Sequence, residues 1–395
     1  MTIQVPASLV PLSEESATRL AWYAFCLRAF GEDHNHLPTI QESLYVYSSA
    51  LKQLYKAVES RNTDMTITVF TAANWLCMYS QLVGTDAMEK VALHSRGIMQ
   101  LLRFVGAATF SSPKHLLLFE NSRWALVMQA IVERRPNAIA SKEWIDKPWS
   151  LAGVTQKRFE QRLLDIMLDL THLLQCIDEI TTHRLSPWSK TTDSQTRQSV
   201  LLATFWQKCK DVHMDIHQWR RDHPDKEIAV EWLPATAETL SVFPEGSPFF
   251  STSIDAITGI WYHTSLTHLF DSASKACLVE ASLIEQAHQS VYLNADMIAF
   301  LRSISGADEI QETTLSFSSL EFKLRELAGS SLRKACAICL PYLKRQYAGS
   351  MAMHTLLALY AARSSDVDPT LKLWAESVFA TAGNASVIRG HSRRQ

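Results

Sequence analysis

At 395 residues, with 47% of its side chains hydrophobic and 20% charged, the chain has ample material for a large core and lacks the bias of a disordered protein. A formal net charge of −2 gives no electrostatic reason to bind nucleic acid, and apart from the Arg393–Arg394 tail no Lys/Arg block forms a basic stripe. No apolar run follows a basic start, and none reaches the ~20 residues of a membrane span, so a cytoplasmic or nuclear location is expected.

Apolar residues recur at helical spacing almost from the start. The period predicts a helix over Thr18–Phe30, stopped by Gly31 and followed by a polar loop. Leu44, Tyr47, Leu51, Leu54, Tyr55 and Val58 mark a face of the next, to about Ser60. Met65–Val83 is a third, with Val69, Ala72, Ala73 and Leu76 inward and Gly84 closing it. Thr85 and Asp86 can cap the helix behind it, on which Ile98, Leu101, Leu102 and Val105 share a stripe that ends at Gly106. Ser112 and Pro113 signal a new start, and Leu117, Trp124, Val127, Met128 and Ile131 repeat until Pro136 forbids continuation. An aromatic exit, Ser141–Trp149, completes four or five antiparallel helices.

Beyond Val154, a long helix carries Phe159, Leu163, Ile166, Met167, Leu170, Leu173, Leu174 and Ile177 and ends in a loop, Leu185–Thr196. Another bears Leu201, Val212, Ile216 and Trp219. Between Asp222 and Ser253 the period fails, because Pro224, Pro234, Pro244 and Pro248 come with aromatics. A loop of roughly 30 residues in a compact domain is either functional or a cover over apolar surface, which makes this stretch the lid candidate. Helices then resume at about 253–270, 278–304, 320–344, 351–361 and 369–382, without a fixed repeat. The expected architecture is all-α: an irregular array of antiparallel helices forming a single large domain over 18–382, divisible into halves 18–150 and 155–382. A disordered N-terminus, 1–17, and a flexible tail, 383–395, would flank it.

Metal and nucleophile signatures are sparse. Seven scattered cysteines, Cys26, Cys77, Cys176, Cys209, Cys277, Cys336 and Cys339, read as reduced, buried thiols. Cys336 and Cys339 have zinc-ligand spacing but no second pair nearby, so they read as small core residues. His213 and His217 are four apart, yet no Glu follows the first His as a zinc protease requires, and a polar helix face is the simpler reading. His34 and His36 beside Asp33 read as surface loop. No phosphate-cradling glycine loop, dinucleotide fingerprint or serine elbow occurs, so no cofactor and no metal is expected.

The remaining candidate chemistry lies in STSIDAITGIWYHTSLTHLF. Asp255 and His263 are eight apart and near one side of a helix, with Trp261, Tyr262 and His268 as further pocket candidates. A carboxylate and a His in an aromatic, water-poor cavity could perform acid/base work, because burial and mutual charge move their proton affinities. The alternative is that caps and core hydrogen bonds satisfy both.

An ordered set of short features resembles the regulatory, or middle-homology, region of fungal zinc binuclear cluster transcription factors. Tyr47–Leu54 is similar to that family's aromatic-x-x-Ala-Leu helix, and Thr66–Tyr79 to the helix behind it. His94-Ser-Arg-Gly97, with Leu101, Leu102 and Gly106, resembles its His-x-x-Gly turn. Arg123, Arg135-Pro136 and Trp144 match its arginine helix, stop and tryptophan, and Ile338-Cys339-Leu340-Pro341-Tyr342 its Ile-Cys-x-x-x-Tyr element, with Gly349 and Trp374 behind. The resemblance spans about 20–382. It implies a helical domain that senses, restrains or dimerises, with His94 and Arg123 as structural hydrogen-bonding residues.

The chain departs from that family at its DNA-reading module, a six-cysteine cluster that holds two zinc ions. Only Cys26 precedes residue 77, and residues 1–60 carry four basic side chains (Arg19, Arg28, Lys52, Lys56) against six acidic ones (Glu14, Glu15, Glu32, Asp33, Glu42, Glu59). Direct DNA binding is therefore not expected. Two functions are expected to compete. One is a regulatory protein associated with secondary metabolism that binds a hydrophobic small molecule, a protein partner or a second copy of itself. The other is a cofactor-independent biosynthetic isomerase, cyclase or rearrangement catalyst using Asp255 and His263.

Overall fold

The Ser16 side chain accepts the Arg19 N–H at 3.2 Å and so caps α1 (Ala17–Asp33). Gly31, expected to stop this helix near Phe30, lies inside it instead. A Cβ at Gly31 would stand 2.7 Å from Ile40 Cγ1 and 3.1 Å from the Ile40 nitrogen, so the glycine lets the next helix touch rather than ending its own. Asn35, at φ 51°, turns the chain into α2 (Leu37–Glu59), which packs antiparallel on α1. This computed structural model describes residues 16–59, 66–82, 87–184, 192–224, 231–236, 239–250, 252–287, 295–305, 316–344, 350–364 and 366–378. The expectations for residues 1–15 and 379–395 lie outside these.

Next come α3 (Thr66–Gln81) and α4 (Ala87–Val105), and a short 3₁₀ turn, Ala107–Phe110. The Tyr47 hydroxyl and His94 Nε2 are 2.9 Å apart and tie α2 to α4, while Tyr47 stacks on Tyr79. Ser112 caps α5 (Pro113–Glu133) with Pro113 in the first turn, where a missing N–H costs nothing. Arg134 ends it in a left-handed conformation, φ 53°, and the neighbouring Pro136 prevents resumption. In α6 (Lys142–Leu151), Trp144 and Trp149 are buried against Phe119. Arg123, 1% exposed, is held between Glu120 and Asp165 and under the Trp149 ring, 4.7 Å from its centre. Lys157 closes this cluster on Asp165 at 2.6 Å.

The second half is arranged round two long helices, α7 (Phe159–Arg184) and α9 (Ser253–Ala287). α7 packs on α5, on α8 (Thr192–Asp222) and on α9, which also contacts α11 (Phe317–Lys344) and α12 (Ser350–Ser364). α10 (Ala295–Ser305) lies on α8 through a Lys210–Asp296 ion pair of 2.6 Å. A last helical run covers 369–378. One apolar core extends from Phe70 to Ala375, so both halves of this all-α domain share it, and a smaller cluster of Ala21, Ala50, Trp75 and Leu76 seals α1 to α3.

Three local expectations are corrected. α9 runs unbroken through 271–277, where a loop was expected. Ser272, Ala273, Ser274 and Ala276 are small because they are buried between packed helices, not because the chain turns there. α8 already begins at Thr192, inside the stretch Leu185–Thr196 that was expected to be a loop, and residues 185–191 lie outside the described ones. The proline-rich stretch is also not wholly irregular: β1 (Glu231–Leu233) and β2 (Ser247–Phe249) pair antiparallel, placing Trp232 opposite Pro248.

Candidate functional site

Among its described residues, the proline-rich stretch folds back between β1 and β2 and is pinned at several points. The Thr239 carbonyl accepts from the Phe243 N–H at 2.7 Å, and Gly246, at φ 83°, supplies the turn before β2. Arg333 of α11 pairs with Asp368 and donates to the Val242 carbonyl at 3.4 Å, while Phe243 meets Trp374 edge-on at 5.0 Å. The stretch is thereby fastened to α11 and to the 369–378 helix.

Beneath it lies a cavity of about 400 Å³, within the range of small-molecule sites. Phe243, Pro244, Pro248 and Phe250 form its roof, Gly259 and His263 of α9 its floor, and Ala337 and Ile338 of α11 one wall. A Cβ on Gly259 would meet Ile338 Cδ1 at 3.1 Å and Phe250 Cζ at 3.5 Å, so the glycine lets roof and wall approach. Arg220, Arg333 and Lys334 carry positive charge at the rim against Glu245.

His263 is the one expected site residue that lines this cavity. Its Nδ1 is buried and has no hydrogen-bond partner. Burial, followed by the charges of Lys334 and Arg220, lowers its pKa to about 3, and the ring is neutral near pH 7. Asp255 sits two turns earlier, roughly 12 Å along the axis at 1.5 Å per residue. Its carboxylate accepts from the Thr252 hydroxyl at 2.5 Å, and its own N–H donates to that hydroxyl at 3.2 Å, a reciprocal cap on the start of α9. No hydrogen bond or ion pair joins Asp255 to His263 among the described residues, so the structure does not assemble the pair as an acid/base unit.

Trp261 and Tyr262 are buried and do not line the cavity. The Tyr262 ring stacks on Trp219 at 5.8 Å, and its hydroxyl accepts from Arg220 Nη1 at 3.2 Å, which orients that arginine at the rim. His268 faces a different cavity, of about 430 Å³, between α5, α7, α9 and α12. Charges there are matched within the protein: Arg134 binds Asp178 through two nitrogens at 2.8 to 3.0 Å, and Lys275 binds Asp271 at 2.7 Å. His268 Nε2 is buried without a partner, and burial, with Arg134 adding to it, lowers its pKa to about 4.

The other singled-out residues have structural partners. Cys336 and Cys339 are buried on α11 against the carbonyls of Ala358 and Ala335, and burial pushes both thiols well up. His213 Nε2 lies 2.9 Å from His217 Nε2, and His213 Nδ1 lies 2.8 Å from the Ser303 hydroxyl, which donates to the Phe300 carbonyl. His34 and His36 bond locally, to the Phe30 carbonyl and the Thr39 hydroxyl. Among the described residues, no group of three or more His, Cys, Asp or Glu is placed to hold a metal ion, and no helix is long and apolar enough to cross a membrane.

Arg220, Arg333, Lys334, Phe243 and Phe250 did not emerge as site residues from the sequence. Pro244 and Pro248 flagged the roof, but no local pattern connects a rim built from α8 and α11, more than 100 residues apart. Against known proteins, no family model, no curated protein and no solved structure matches the chain.

Proposed function

We propose that the chain is a regulatory, ligand-binding protein descended from the helical middle region of fungal zinc-cluster transcription factors, acting in secondary metabolism. The cavity under the proline-rich roof carries this reading: it joins an aromatic and aliphatic roof and wall to a few charged groups, is of ligand size and is covered by a pinned loop between helices from distant parts of the chain. Its acid/base equipment is poor for catalysis. A histidine whose pKa lies near 3 is a weak base at pH 7, and the carboxylate that could assist it is engaged at a helix cap.

Incubation of the purified protein with a fungal metabolite extract, followed by native mass spectrometry, tests the reading. One unmodified small molecule retained at 1:1 stoichiometry is expected, and Ala337→Trp, which fills the cavity, should abolish retention. Conversion of an extract component without retention, or retention unaffected by Ala337→Trp, would sink it.

The enzymatic reading, an isomerase, cyclase or rearrangement catalyst, draws support from the unpartnered His263 Nδ1 in the floor. It requires that His263→Ala abolish a measurable turnover and that Asp255→Asn spare it.

A further inference from the structure

α2 carries its small residues inward and its large apolar ones outward. Towards α1 and α3 it buries Ser43, Val46 and Ala50, with Tyr47 and Leu54 half-buried. Leu37, Leu44, Tyr45, Leu51, Tyr55 and Val58 stand on the other side and remain between 37% and 76% exposed. The face that sequence periodicity marks on this helix is therefore divided, and most of it turns to solvent. We propose that this outward face joins two copies of the chain, α2 against α2 and antiparallel, as a short coiled coil. Neither the cavity nor its occupant enters into this pairing.

Spacing identifies the partner as a helix of the same repeat. Leu37, Leu44, Leu51 and Val58 follow one another at intervals of seven, and Gln41, Ser48 and Tyr55 lie four residues after the first three of them, the four-and-three alternation of a coiled-coil seam. On a straight helix such a stripe drifts by about 20° per heptad, so a second helix that supercoils with it is what keeps the whole stripe covered. The stripe is roughly 32 Å long at 1.5 Å per residue. Gln41 and Ser48, both exposed, bring polar groups into the seam, a device that fixes register at a cost in stability.

Area and charge point to a second copy. The six apolar side chains expose on the order of 600 Å², the upper end of the largest patches on monomeric proteins. Two such faces brought together remove about 1,200 Å², the lower end of what a specific dimer needs. Glu42 lies towards the start of α2 and Lys52 and Lys56 towards its end, all exposed. A parallel pair would hold like charges at the same level. An antiparallel pair about a two-fold axis between Tyr47 and Ser48 instead sets Leu44 level with Leu51 of the second copy, and Glu42 within about 1.5 Å of the level of its Lys52. Such a pairing uses the same stripe on both sides and closes at two.

Sedimentation equilibrium of the full chain at micromolar concentration reads the assembly. A monomer–dimer equilibrium is expected, and Leu44→Lys combined with Leu51→Lys, both at exposed positions, should weaken it about 100-fold while the urea midpoint stays at the parent's value. Direction is read by oxidative cross-linking in a Cys26→Ser background, since the other six cysteines are buried. Ser48→Cys, beside the axis, should link to its own copy, whereas Gln41→Cys, towards one end, should not. A monomeric parent, a dimer that survives the two lysines, or self-linking of Gln41→Cys overturns the proposal. A monomeric parent in which Tyr45 and Tyr55 become open to iodination only after removal of residues 1–15 would overturn it in favour of that segment as the occupant.

Discussion

Arg123 illustrates how little room some single residues have. Its guanidinium is almost fully enclosed, with Glu120 and Asp165 supplying two acceptors and Trp149 a ring face. Burial alone would depress its pKa, yet the combined pull of the two carboxylates holds it above the usual value. Removing one partner leaves a buried charge uncompensated, so Asp165→Asn should destabilise the protein by about 3–5 kcal/mol in urea denaturation. Arg123→Lys should not rescue the site, since an ammonium cannot reproduce the planar fork and ring stacking. Asp255 is the contrasting case. As half of a helix cap, its loss should cost about 1 kcal/mol, and ligand affinity in Asp255→Ala should equal that of the parent. Loss of affinity in that variant without loss of stability would restore Asp255 to the site. From sequence the two carboxylates could not be told apart, because the difference lies in Thr252 on one side and Arg123 with Lys157 on the other.

At the scale of elements, periodicity carried the reading well, and two of its failures share one physical origin. Small residues were read as breaks where they are close contacts. Gly31 lies inside α1 where Ile40 presses on it, and Ser272, Ala273, Ser274 and Ala276 lie inside α9, buried on a helix that packs on α7, α11 and α12. Propensity and packing can be set against each other at Gly31. Ala is favoured over Gly in a helix by about 1 kcal/mol. The added Cβ would sit 2.7 Å from Ile40 Cγ1 and 3.1 Å from a backbone nitrogen that cannot move without shifting α2. Overpacking costs about 1–3 kcal/mol, so Gly31→Ala should be neutral to destabilising by up to ~2 kcal/mol, despite the better helix former. A gain in stability in chemical denaturation would show that α2 yields freely. The candidate site was half legible for the same reason: the prolines of the roof and His263 of the floor are local signals, whereas the rim cations meet only when α8 and α11 pack on α9.

For the whole molecule, buried histidines set the response to acid. Burial is the leading cause in each of four: His94 and His268 are lowered to about 4, and His213 and His263 to about 3. In the unfolded chain the same rings titrate near 6.5. Above that pH neither state holds these protons, and the stability tied to the neutral rings is complete. As pH falls from about 6.5 towards 4, the unfolded chain takes up protons that the folded chain refuses, so stability declines by roughly 1.4 kcal/mol per pH unit for each ring that responds fully. Asp169 acts in the opposite direction. Burial, then the charges of Asp165 and Asp215, raise its pKa to about 6, so between about 6 and 3.8 the folded state binds the extra proton and gains stability on acidification. Burial raises Asp215 too, so two carboxyls oppose the four imidazoles, and His172 and His217 are lowered as well. The urea midpoint should therefore fall steadily from pH 7 to pH 5. His268→Asn should flatten that fall and Asp169→Asn steepen it, because each removes one of the opposed contributions. A midpoint that holds or rises between pH 7 and pH 5 would mean that the rings are protonated in the folded state, and the cavities would then need anions or solvent already bound to them.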